Sequence, residues 1–167
     1  MEDGAGYLAV NNKFPGVTLD MIKWWFAWHP LDSIRYKIWN PYCHPYAAIA
    51  DVDRDKILDQ EVAIEDKIAD VVHFVCEDIG AGLQDIVIHF RPVEEIGFTK
   101  KELEDAHAYA VGGYGLVENR VGEKGKTPAI MIHYYRETED GFSHLASILP
   151  GVYEEFGSLP FDANLTE

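Results

Sequence analysis

The sequence predicts an α+β fold built on a mainly antiparallel sheet, and three observations point there. Strand-like runs are mixed with a few helical ones along the chain. VVHFVCED at 71–78 and DIVIHFRP at 85–92 flank a short turn containing Gly80 and Gly82, and read as a hairpin. TPAIMIHYYRE at 127–137 is a third, long strand candidate.

In chain order, GYLAVN at 6–11 reads as a short strand, and Pro15 and Gly16 as the turn after it. Thr18 is a good N-cap for a helix over about 19–29, with Asp20 near its positive end. Pro30 ends that helix. SIRYKIW at 33–39 alternates and predicts a strand, with Ile34, Tyr36 and Ile38 on one face. An irregular loop occupies 40–50, punctuated by Pro41 and Pro45. The charged stretch 51–70 reads as a surface excursion. Thr99 and Glu102 predict a capping box at the head of a helix over 99–109. Gly112, Gly113 and Gly115 interrupt the chain beyond that helix, and SHLASILPGVYEEF has a helical pattern bent at Pro150 and Gly151.

The 167 residues suit a single domain over 1–167. At 47% hydrophobic and 13% aromatic, the chain can bury a core. The net charge of −15 and pI near 4.7 come with no basic cluster, which argues against nucleic-acid or anionic-membrane partners. MEDGAGYLAV lacks the basic and apolar regions of a signal peptide. No run approaches the roughly 18 apolar residues of a membrane helix. Cys43 and Cys76 form no C-x-x-C pair, so a cytoplasmic location is expected.

The stretch WWFAWHPLDSIRYKIWNPYCH, residues 24–44, sets four Trp, two Tyr and a Phe around two His. It is either an aromatic core or the wall of a site that holds a ring. Of the seven histidines, His73 and His89 sit in the hairpin and read as structural. His44 comes after WNPYC on an irregular loop beside aromatic neighbours, where ligands tend to sit. Glu77 ends the apolar run VVHFVC, and a carboxylate there needs water or a partner. Zinc takes His nitrogen and Glu oxygen together. His133 and Glu137 have the spacing H-x-x-x-E, but on a strand they lie about 13 Å apart, too far to share an ion. There is no G-x-S-x-G, Walker loop or H-E-x-x-H.

The 24–44 stretch resembles the family of 2,4-diacetylphloroglucinol hydrolase and phloretin hydrolase, zinc-dependent enzymes that cleave the carbon–carbon bond between an acyl group and a polyhydroxylated ring. VVHFVCEDIG, IVIHFRPVEEIGF, AIMIHYYRETEDGF and SHLASILPGVYEEF are similar to later parts of the family pattern. The resemblance implies a Bet v 1-like helix-grip fold, a curved antiparallel sheet around a C-terminal helix, in a shortened form. It implies that His44 and Glu77 are zinc ligands, that Tyr36 touches the substrate and that His133 is a catalytic pocket histidine. It implies a small aromatic ketone as substrate. The family completes its zinc site with H-x-x-x-E on the closing helix. The positions in register here are Glu137 and Gly141, so the site is expected to be incomplete. The rival reading is a non-catalytic module that holds an aromatic ligand, or an inactive truncated homologue, because fold alone does not confer activity.

Overall fold

A computed structural model describes residues 6–150 except 79, 81, 123, 124 and 140, with the backbone alone over 141–150. Seven strands form one antiparallel sheet: β1 (Leu8–Pro15), β2 (Tyr46–Ile49), β3 (Val72–Asp78), β4 (Leu83–Phe90), β5 (Ala108–Asn119), β6 (Lys126–Thr138) and β7 (Gly141–Pro150). Their spatial order is β1-β7-β6-β5-β4-β3-β2. The expected hairpin is β3–β4, in which Val75 faces Ile86. Among the described residues four α-helices accompany the sheet: α1 (Leu19–Trp28), α2 (Ser33–Trp39), α3 (Asp51–Leu58) and α4 (Lys100–Asp105).

α1 begins where Thr18 leaves extended backbone and its hydroxyl accepts from the Met21 N–H at 3.3 Å. Its inner face carries Phe26, whose ring meets Phe90 of β4 at 6.3 Å and Tyr135 of β6 at 6.2 Å, both edge-on. α1 thus covers one face of the sheet, and Val71, Val75, Ile86 and Ile88 complete the core between them. Thr18→Ala is expected to cost about 1 kcal/mol, read as a lower urea midpoint at unchanged m-value. α4 begins with the predicted capping box: Thr99 accepts from the Glu102 N–H, and the Glu102 carboxylate accepts from the Thr99 N–H at 2.9 Å.

Four expectations are corrected. Residues 33–39 are helical. Asp32 caps them by accepting from the Ile34 N–H at 2.9 Å, which satisfies one of the orphan donors of a helix start. Exposure has the helical period: Ile34 and Ile38, four apart, are 64% and 67% exposed, while Tyr36 is 5% exposed. A strand would have put all three on one face. The charged segment 51–70 is not all surface, because it contains α3 and buries Ile57 and Ile68. The glycines Gly112, Gly113 and Gly115 do not interrupt a strand; they lie inside β5, between β4 and β6.

The fourth correction concerns the end of the chain. SHLASILP, residues 143–150, lies in β7 and not in a closing helix. β7 pairs with β6 on one side and with β1 on the other, so both rows of its backbone hydrogen-bonding groups are used in ladders. GVYEEF at 151–156 lies outside the described residues. Among the described residues, no helix is long and apolar enough to cross a membrane.

Candidate functional site

The loop after α2 is built to deliver His44 to the end of β3. Asn40 closes the turn: its backbone carbonyl accepts from the His44 N–H at 3.0 Å, and its side-chain oxygen accepts from the N–H groups of Tyr42 and Cys43. The Asp78 N–H donates to the Cys43 carbonyl at 2.8 Å. Two residues on, β2 begins with Tyr46 opposite Cys76. His44 is therefore held beside Glu77 by the start of a ladder. α2 is fixed to the same strand by Ser33, whose hydroxyl donates to the Ala47 carbonyl at 2.8 Å and accepts from its N–H at 3.1 Å.

Three of the four residues singled out in the sequence meet here. The Nε2 of His44 lies 3.3 Å from Oε2 of Glu77, and the Tyr36 hydroxyl donates to the same oxygen at 3.0 Å. Tyr36 and His44 are buried, and Glu77 is partly so. Burial, with the Glu77 carboxylate second, pushes the Tyr36 phenol far above its usual range, so it stays protonated. Trp39 stacks on His44 at 4.2 Å between centroids and is 60% exposed, forming the outer wall.

His133 is elsewhere. Glu77 pairs with Gln84, and Gln84 with Asn119, whereas His133 pairs with Val111. Asn119 and Val111 are eight positions apart on β5, about 26 Å along a strand. A run of contacts links the two: His133 meets Phe26, Phe26 meets His29, and His29 meets Tyr36, which donates to Glu77.

The separation of 3.3 Å between His44 Nε2 and Glu77 Oε2 suits two donors on one tetrahedral zinc, whose bonds of about 2.0–2.2 Å place ligand atoms roughly 3.3–3.5 Å apart. The rest of a shell is missing: among the described residues, no three His, Cys, Asp or Glu side chains are grouped to hold a metal. The buried Nδ1 of His44 has no hydrogen-bond partner, although a metal-bound imidazole usually donates its second N–H. The described residues thus offer two of four donors.

Sequence reasoning passed over His29. It is 5% exposed, and its Nδ1–H donates to the Trp25 carbonyl at 2.8 Å. It stacks on Tyr36 at 5.4 Å and meets His73 edge-on at 5.7 Å. The signal was available in the four-residue spacing of Trp25 and His29 at the end of a helix. Burial pulls His29 from 6.5 down to about 4, and pulls His73 well below its ordinary value. The unfolded chain therefore binds these protons near pH 6.5, whereas the folded chain binds that of His29 only near pH 4 and that of His73 well below its ordinary range. Their neutral burial is fully stabilising above pH 6.5, and stability falls as pH drops from there toward 4. The His29 share is at most about 3 kcal/mol. Urea midpoints measured from pH 7 to 4.5 should decline, and less steeply in His29→Phe.

A cavity of about 830 Å³ opens away from this cluster, lined by Leu19, Ile68, Leu103, Tyr109 and Val111 among others, and by none of Tyr36, His44 or Glu77. The cations around it are already paired, Lys100 with Asp66 at 2.8 Å and Arg91 with Glu95 at 2.6 Å. Its lining also carries His107 and Glu137 beside Tyr109.

Comparison with known proteins identifies the family. Residues 1–144 match the family model described as DAPG hydrolase PhiG domain. A 2,4-diacetylphloroglucinol hydrolase of Pseudomonas protegens is 25% identical over 155 residues, which cover 92% of this chain and 49% of that protein. One from a Pseudomonas species is 24% identical over the same share of this chain and 51% of its own length. Phloretin hydrolase of Eubacterium ramulus is 33% identical over 97 residues, 58% of this chain and 35% of that protein. The chain spans about half the length of the two diacetylphloroglucinol hydrolases, or less of the phloretin enzyme.

Proposed function

The chain belongs to the DAPG hydrolase PhiG domain family, and from that premise we propose that it hydrolyses the carbon–carbon bond between an acyl group and a polyhydroxylated aromatic ring. The observation that carries this reading is the convergence of Tyr36, Glu77 and His44 under the Trp39 ring. The antiparallel sheet supports the sheet part of a helix-grip reading, although SHLASILP lies in β7 and not in its closing helix.

The substrate dictates the chemistry. A ring hydroxyl beside the acyl group tautomerises to a ketone, and the acyl–ring bond then lies between two carbonyls. Water adds to the acyl carbonyl, the carbon–carbon bond breaks, and its electrons pass to the ring as an enolate. Protonation of the enolate oxygen restores the phenol, since the ring carbon took its hydrogen in the tautomerisation, and the acyl fragment leaves as a carboxylic acid. Tyr36, kept protonated, holds a ring oxygen in place. Glu77 presents Oε2 to Tyr36 and His44, and its second oxygen is left to take the proton from water. His133, whose ring meets Phe26 of α1 at 5.9 Å, is a second candidate to move a proton. Zinc held by His44 and Glu77 would lower the pKa of a water or polarise the acyl carbonyl.

Tyr36→Phe is expected to lower kcat about 10- to 100-fold, because it removes the ring-oxygen contact and leaves Glu77 without its donor. Steady-state kinetics on 2,4-diacetylphloroglucinol and phloretin check this. The second reading, a module that binds an aromatic ligand without turnover, is favoured by the two-donor metal set among the described residues. Zinc content separates them: stoichiometric zinc in the purified chain supports the enzyme, and none supports the binding module.

A further inference from the structure

We propose that His29 is a positioning residue for Tyr36: its imidazole, anchored to the Trp25 carbonyl, is the fixed face on which the Tyr36 ring stacks so that the hydroxyl points at Glu77. This rests on the functional reading above and adds a residue to it.

A tyrosine hydroxyl sits at the end of a side chain with two rotatable bonds. To keep it 3.0 Å from Glu77, the ring needs contacts on more than one side. His44 meets the Tyr36 ring edge-on at 4.8 Å, and Trp39 meets it at 6.0 Å with a 57° tilt. Trp39 is largely exposed, so it is a yielding wall. His29 is the parallel contact, at 5.4 Å and 23°.

His29 is itself fixed. A carbonyl accepts only from a protonated nitrogen, so the bond to Trp25 sets the tautomer with the proton on Nδ1. Trp25 stacks on the other side of the imidazole at 5.0 Å and 19°. Phe26 and His73 close its edges at 5.9 and 5.7 Å. A buried imidazole held by a hydrogen bond and by four neighbouring rings transmits the geometry of α1 to the hydroxyl.

The test is a double-mutant cycle with an independent readout. His29→Ala is expected to lower kcat about 10- to 100-fold with KM changed less than about threefold, as expected of a reacting group misplaced by about an ångström. In the Tyr36→Phe background, where no hydroxyl is left to aim, His29→Ala should cost less than about threefold more. His29→Phe keeps a ring but loses the anchor, and should fall between wild type and His29→Ala. It also serves if the alanine variant does not fold. The readout apart from activity is the ring-flip rate of isotope-labelled Tyr36 by NMR: slow in wild type, at least about tenfold faster in His29→Ala, and partly slowed again in His29→Phe. Additive losses in the cycle, or unchanged flip rates, would overturn the proposal. If the wild-type chain turns over no acylphloroglucinol, the functional reading fails, and the flip rates alone decide the role of His29.

Discussion

Glu77→Gln is expected to abolish most turnover of an acylphloroglucinol, by about 10³-fold in kcat, while leaving the fold intact. Gln has nearly the same shape as Glu. Its amide oxygen can still accept from the Tyr36 hydroxyl, which now donates to Oε2 at 3.0 Å. What disappears is the negative charge. The group 3.3 Å from His44 Nε2 can then neither take a proton from water nor serve as an anionic metal donor. The Glu77 side chain is only partly buried near the end of β3, so thermal unfolding should move by only a few degrees. A large loss of activity with a retained melting temperature identifies a chemical role. A loss of both would mean that Glu77 mainly holds the loop of His44 in place.

Gly113→Ala is the substitution expected to harm the fold most. A Cβ built on Gly113 falls 2.0 Å from the His89 carbonyl oxygen and 2.8 Å from the Phe90 Cα. Both are backbone atoms of the neighbouring strand, which cannot swing aside as a long side chain would. Gly113 pairs with Phe90 and Met131 across two ladders, so moving β5 breaks pairing on both sides. The cost should be about 3 kcal/mol or more, the upper range of overpacking. Gly115→Ala is the control, because its Cβ would meet nothing closer than 3.6 Å. Urea denaturation of the two variants should separate them clearly.

These glycines also illustrate what a single sequence conceals. A Gly-rich run reads as a break when only its propensity is considered, yet Gly113 is inside a strand because a neighbouring backbone approaches too closely for a Cβ. The β3–β4 hairpin, β6, α1 and the capping box of α4 were legible, because each carries its signal within a few residues. α2 was not. Seven residues cannot settle a period when alternation and helical spacing both fit them, and the Asp32 cap that decides the matter was overlooked. β7 was missed because its helical pattern is local, while its two ladders involve strands that include β1, far away in sequence.

The candidate site was legible unevenly. The convergence of His44, Glu77 and Tyr36 was expected from the family resemblance, and no spacing rule would have joined positions 33 and 41 residues apart. His133 entered by the same route, and it pairs with Val111, eight positions along β5 from the residue in line with Glu77. His29 was missed because its role comes from two contacts, the Trp25 carbonyl and the Tyr36 ring, and only the first is local in sequence.

The most direct measurement is product release. The purified chain, supplied with zinc, is incubated with 2,4-diacetylphloroglucinol, and acetate and the monoacetylated ring are quantified together for wild type and Glu77→Gln. Equimolar acetate and deacylated ring from wild type, with about 10³-fold less from Glu77→Gln, is the expected result. Release at the same rate from both proteins, or from neither while the compound still binds, would contradict the assignment of hydrolysis to the Tyr36–Glu77–His44 cluster.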